Sequence, residues 1–254
     1  YNANYDSAES PPEPVVTAVP GNRKVTLYWD DRAEKGVYRK SDGTIDHVND
    51  RLTHTNSFEG YKIFKSTDRG ITWGEKILDV NGAFKYWRAL KQYDLKDGIT
   101  GESQHSLGRY YLLGDDVGLQ HMFVDNDVNN GYEYWYAVVA YDHDDGVIPP
   151  LENPIKSDPN KSGDNTVAII PYAPPSQYTV GNVHAATLVQ GRSTIESFPI
   201  SIVDQEKVTG HDYRITFDTS GGNKKYSITD ITTGQFARAL DTLKLDSLKY
   251  VPFY

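Results

Sequence analysis

Residues 131–142, GYEYWYAVVAYD, constrain this chain more than any other stretch. In an extended segment Tyr132, Tyr134, Tyr136, Val138 and Ala140 fall on one face. Trp135, Ala137, Val139 and Tyr141 fall on the other. Period two with aromatic and β-branched residues on both faces describes a strand buried on both sides. Such a strand belongs in the middle of a sheet. Asn129, Asn130 and Gly131 precede it as turn residues.

The rest of the composition agrees with strands. The chain has 19 Tyr, 8 Phe and 4 Trp but a single Met, which is too little helix-favouring bulk for a bundle. Its 254 residues suffice for one large or two ordinary domains. The net charge of −9 repels phosphate backbones, so a nucleic-acid partner is not expected. No apolar run reaches membrane-spanning length, so membrane insertion is not expected. Without cysteine there is no disulfide, thiolate metal site or thiol nucleophile. Tyr1 is not a natural start, which suggests a piece of a longer chain.

The fold class expected is all-β, two tandem antiparallel sandwiches. Residues 1–14 read as a polar tail and 15–172 as the first domain. Residues 173–176, among Pro171, Pro174 and Pro175, read as a linker. Residues 177–254 read as a second, smaller and incomplete sandwich. In the first domain, strands are expected at 15–19, 24–30, 60–66, 110–113, 119–124 and 165–170, and 71–78 is expected as the hairpin partner of 60–66. Residues 83–95 place Phe84, Trp87 and Leu90 at helical spacing and predict a short helix covering the outer face of the central strand. In the second domain strands are expected at 177–180, 185–190, 198–203, 213–218, 225–230 and 235–239.

Three short patterns in the first domain resemble the fibronectin type III family. Val25, Leu27 and Trp29 match its second strand. Gly60, Tyr61 and Ile63 match its third. Tyr134, Val138 and Ala140 match its sixth, with Tyr134 at the corner that opens it. The match covers residues 11–172 and implies a sandwich with Trp29, Tyr61, Tyr134 and Val138 as structural residues. Residues 31–58 and 81–118 are long insertions relative to that family, whose unit runs to about 100 residues. The wording of residues 125–142 also resembles surface proteins of Bacteroidota-like and Ignavibacteria-like bacteria exported by the type IX route. So do 208–217 and 226–234. That resemblance implies an extracellular or cell-surface setting and no particular activity.

Residues 66–73, STDRGITW, match the Asp-box of sialidases and related propellers. Its physics is a turn: Asp68 binds backbone amides, Gly70 takes a positive φ, and Trp73 packs beneath. A single box reads as a structural staple. Asp125, Asp127 and Asn129 place oxygen ligands at alternate positions, which suits Ca²⁺, the one cofactor the sequence offers. Position twelve of that run is Tyr136, not Glu, so it is not an EF-hand. No P-loop, dinucleotide fingerprint or nucleophile elbow occurs, and no catalytic or cofactor-binding residues are assigned. Ser7, Thr242 and Ser247 lie in Asp-Ser/Thr-aliphatic patterns that suit O-glycosylation in such bacteria.

Leu245, Tyr250 and Phe253 lie in an apolar end segment that needs a partner, whether its own domain or the sheet edge of another copy. The function expected is a non-catalytic structural or adhesive segment whose partners are protein, copies of itself included. The alternative is a carbohydrate-binding accessory module, with Tyr86, Trp87, Tyr93, Tyr110 and Tyr111 stacking on a polysaccharide.

Overall fold

A computed structural model describes residues 10–39, 45–47, 58–104, 110–143, 150–158, 161–177, 181, 187–190, 200, 202, 204–218 and 225–242. Among them the chain is all-β: antiparallel strands, one 3-10 turn at Gln205–Lys207 and no α-helix. The strands are β1 Val16–Gly21, β2 Lys24–Trp29, β3 Val37–Arg39, β4 Ile45–His47, β5 Phe58–Ser66 and β6 Lys76–Leu78. There follow β7 Phe84–Trp87, β8 Lys91–Asp94, β9 Gly101–Gln104, β10 Tyr110–Gly114, β11 Met122–Asp125 and β12 Tyr134–Asp142. The remainder are β13 Ser157–Asp158, β14 Lys161–Ser162, β15 Thr166–Ile169, β16 Tyr213–Asp218, β17 Lys225–Asp230 and β18 Gln235–Thr242. The chain divides into two compact units, Tyr1–Pro174 and Pro175–Tyr254.

In the first unit one sheet has the order β1-β2-β11 and another the order β15-β12-β5-β8. β12 is interior to its sheet, and all nine of its residues are buried, as two-sided apolar patterning requires. Its Tyr134, Tyr136, Val138 and Ala140 meet Val16, Val25, Leu27 and Trp29 of the other sheet in one cluster, joined by Tyr61 and Ile63 of β5. Trp29 packs edge-on to Tyr61 at 5.8 Å and stacks on Tyr93 at 6.1 Å. The strand begins at Tyr134. Tyr132 is exposed, because Gly131 turns the chain at φ 83° and its amide bonds to the Pro171 carbonyl at 2.9 Å. The Asn129 amide donates to the Tyr134 hydroxyl at 2.9 Å and locks that corner.

The opposite face of β12 presents Trp135, Ala137 and Val139, with Phe64 of β5 beside them. Trp73, Trp87, Ala89 and Ile155 cover it. Here the expected short helix over 83–95 is corrected: the segment forms β7, a bend and β8. Aromatic residues at 84, 86 and 87 are as well suited to a strand, and partner strands claim the backbone. The Arg88 amide bonds to Glu75 O at 2.8 Å and the Leu90 amide to Ile63 O at 2.7 Å. Of the three side chains expected to cover the sheet, Trp87 packs on it, while Phe84 and Leu90 are exposed.

The expected pairing of 60–66 with 71–78 is also corrected. β5 pairs with β8 and β12, and β6 pairs with β7. The turn at 66–73 sends Trp73 under the sheet instead of leading the chain back alongside β5.

In the second unit β16, β17 and β18 form a three-stranded meander. Tyr226 and Ile228 are buried within it. Asp230 closes the β17–β18 turn, accepting the Thr232 and Thr233 amides at 2.9 and 3.1 Å, and His211 Nδ1 lies 2.7 Å from its other oxygen. The strands expected at 185–190 and 198–203 are not seen at residues 187–190, 200 and 202, which are irregular. The rest of those two stretches, and residues 178–180, lie outside the described residues.

Candidate functional site

The outer face of β12 and β5 collects most of the chemistry of the first unit. It starts from the turn at 66–73. Asp68 Oδ1 accepts the Thr72 amide at 2.9 Å, and Oδ2 accepts the Thr72 hydroxyl at 2.6 Å. Ser66 Oγ donates to Asp68 Oδ1 at 2.7 Å and accepts the Gly70 amide at 2.9 Å. Bonds from Thr72 outweigh the small cost of burial and hold the Asp68 carboxyl at about 2. Arg69 and Gly70 both adopt positive φ, 60° and 81°. The turn places Trp73 against Trp135. Beside it Lys65, Thr72, Trp73, Glu75, Arg88 and Leu90 line a cleft of about 490 Å³. Two of these lining residues, Arg88 and Glu75, pair at 2.9 Å.

The β6–β7 hairpin rises from this cleft. Its tip is held by Asp79, whose Oδ1 accepts the Asn81 and Ala83 amides, each at 2.8 Å. Leu78, Val80 and Phe84 are exposed on it. The Phe84 and Trp87 rings lie 5.0 Å apart, tilted by 56°. Lys76 Nζ sits over the Trp87 ring at 5.5 Å and Lys85 Nζ over the Tyr86 ring at 5.6 Å.

At the far end of the same face the Tyr141 hydroxyl donates to the Leu113 carbonyl, and Gln92 Nε2 donates to Leu112 O at 3.1 Å and to the Tyr141 hydroxyl at 2.7 Å. β10 therefore lies over that end. Burial, then the acidic neighbours Asp94, Glu59 and Asp115, push the Tyr141 hydroxyl up against the opposing Gln92 bond. Asp94, fully buried, ties the following loop by accepting the Asp116 and Val117 amides at 2.6 and 2.8 Å.

Of the three oxygen-bearing residues at 125, 127 and 129, Asp125 is buried and Asp127 and Asn129 are exposed. Asp125 Oδ2 lies 2.8 Å from Lys65 Nζ and accepts the Tyr136 hydroxyl at 2.7 Å, while Oδ1 accepts the Asp127 amide at 2.8 Å. Lys65 Nζ also donates to the Asp127 carbonyl at 2.6 Å. An ammonium thus bridges the Asp125 carboxylate and the Asp127 backbone carbonyl. Burial raises the Asp125 carboxyl, but the Lys65, Tyr136 and Asp127 bonds outweigh it and hold the group below its ordinary range. Among the described residues no three His, Asp or Glu side chains gather as a metal site.

Trp29, Tyr61, Tyr134 and Val138 share the inner cluster, while Asp68 and Trp73 belong to the outer face. The Tyr61 hydroxyl donates to Glu34 Oε1 at 3.1 Å, and His121 Nε2 lies 2.8 Å from the same oxygen. Burial, then the Glu34 carboxylate, push the Tyr61 hydroxyl well above its usual range. Tyr93 packs inward on Trp29 instead of standing on a platform, and Tyr111 is half-buried. Thr242 ends β18. Ser7, Ser247, Leu245, Tyr250 and Phe253 lie outside the described residues.

Two features were not foreseen from sequence. Lys65 carries no spacing signal toward Asp125, sixty residues away in another sheet. Glu59 is fully buried beside His143 Nδ1 at 3.1 Å; burial first, then Asp97, Asp94 and Asp116, push its carboxyl up to about 8. The alternation of β5 puts polar Glu59 among apolar residues, and that was the available signal. No family model, curated protein or solved structure matches this chain.

Proposed function

We propose that this chain is a non-catalytic structural and adhesive segment of an extracellular or cell-surface bacterial protein, a subunit of a larger assembly. Its first unit is a fibronectin type III-like sandwich, with its second sheet covered by the segment that contains the Asp-box turn. The strand orders β1-β2-β11 and β15-β12-β5-β8 around a shared core support that reading, as does the bond to the Tyr134 hydroxyl. The second unit is the smaller sandwich of the tandem, represented by its β16-β17-β18 meander.

The observation that carries a structural role is how the inward-facing polar groups are used. Asp94, Asp125 and Asn165 spend side-chain oxygens on backbone amides of loops, and Asn153 spends its own on the Ala140 amide of β12. Groups committed to holding loops are not free to handle a substrate. The test is surface proteolysis and antibody labelling of intact cells that make the protein, with partners captured by cross-linking. Labelling confined to lysed cells overturns the reading.

The second reading, a carbohydrate-binding accessory module, is favoured by the cleft beside Trp73. A glycan array probed with the purified chain, then with a Trp73→Ala variant, decides it.

A further inference from the structure

We infer that the β6–β7 hairpin is a docking element for a second copy of this chain, and that its receptor is the acidic, apolar surface built by β9, β10 and the loop after β10. The inference rests on the assembly reading above and assigns its contact surfaces.

The hairpin is unlike the rest of the molecule. The hairpin, residues 76–87, contains Lys76 and Lys85 against Asp79, a net of +1. The whole chain carries −9, so the other residues sum to −10. On this basic element Val80 is 101% exposed, Phe84 53% and Leu78 51%. Apolar side chains held out in water on a braced turn favour burial against a partner. The bracing by Asp79 means little order remains to be lost on binding.

The chemistry of the hairpin favours protein over sugar. A sugar ring needs a free, flat aromatic face. Phe84 and Trp87 are tilted by 56°, and ammonium groups already sit over the Trp87 and Tyr86 rings. Aliphatic Leu78 and Val80 add nothing to a sugar, whereas aliphatic, aromatic and cationic groups together make a protein contact.

The complementary surface is on the same unit. Asp97, Glu102 and Asp115 are exposed, with Asp116 half-buried between them. Leu112 and Val117 are exposed beside them at 41% and 43%. The Asp97 and Gly98 amides bond to Asp116 Oδ1 at 3.2 and 3.0 Å, and Leu112 pairs with Glu102 across β9 and β10, so these residues form one patch. The hairpin packs on the outer face of β12 through Trp87, and β10 lies over the Tyr141 end of that face, so the two patches are built by different elements. Opposite charges on two different patches of one molecule let one copy dock on the next, reciprocally in a two-fold dimer or head-to-tail in a ring or filament, according to the rotation between copies.

The experiment is sedimentation of the full 254-residue chain from about 1 µM to about 1 mM. Concentration-dependent self-association that weakens between about 0.05 and 0.5 M salt is expected. Lys76→Glu with Lys85→Glu should weaken it about tenfold or more, and so should Glu102→Lys with Asp115→Lys. Val80→Asp should do the same. It alters a side chain that is wholly in solvent, so the fold is kept. Mixing the two charge-reversed variants should restore association that neither shows alone, since each brings one native patch.

A wild-type chain that stays monomeric throughout overturns the inference, as does association unchanged by these substitutions. A monomer retained on an acidic polysaccharide through Lys76 and Lys85 overturns it in favour of a glycan partner. In either case surface labelling of intact cells tests the structural reading separately.

Discussion

Lys65 and Asp125 meet at 2.8 Å and tie the two sheets of the first unit together, one from β5 and the other from β11. Asp125 is almost wholly enclosed, so removing the ammonium leaves an uncompensated charge. Lys65→Met should cost about 3 kcal/mol at neutral pH. The Asp125 carboxyl is depressed in the folded state. Its contribution is present above the unfolded value of 3.8 and is lost as pH falls through the folded value. The deficit of the variant should therefore shrink on acidification, measured by urea unfolding at neutral and acid pH. A deficit independent of pH would show that the lysine acts through packing alone. With Lys65 in place, Ca²⁺ or EDTA should leave the wild-type melting midpoint unmoved.

Glu59 behaves with the opposite sign. Its folded carboxyl is raised from 4.5 to about 8, so the folded state holds the proton more tightly. Stability from this group is greatest below pH 4.5 and declines as pH rises toward 8. Glu59→Gln keeps the shape and removes the charge. It should melt higher than wild type at pH 8 and close to wild type at pH 5. Equal shifts at both would refute the assignment of a buried, neutral Glu59.

Trp29 fills the inner cluster between Tyr61 and Tyr93, and its indole nitrogen has no partner among the described residues. Trp29→Ala should cost about 3 to 5 kcal/mol in chemical denaturation. Trp29→Phe should cost clearly less, since no hydrogen bond is lost with the indole. Equal costs would mean that the indole nitrogen is bonded after all.

Gly114 approaches Asp94 so closely that an added Cβ would stand 2.2 Å from the carboxylate, and its φ is +127°. Gly114→Ala should cost about 2 kcal/mol or more through strain and displacement of Asp94. Hydrogen exchange at the Asp116 and Val117 amides, both bonded to Asp94, should accelerate. Unchanged protection there would separate the glycine from the loop.

What the sequence by itself determined was local. The two-sided alternation of residues 134–142 sufficed to place β12 inside a sheet, because side-chain period is a property of one strand. The turn at 66–73 was legible because Ser66, Asp68, Gly70 and Thr72 bond to each other within four residues. Tertiary structure decided the partners. Phe84, Trp87 and Leu90 have helical spacing, yet their segment became strands because Glu75 and Ile63 carbonyls accept its amides. Asp125, Asp127 and Asn129 read as calcium ligands by their spacing, while the contact of Asp125 with Lys65, from another sheet, had no local signal. Hydrogen bonds and ion pairs between distant strands depend on which surfaces bury one another, and no local spacing encodes that.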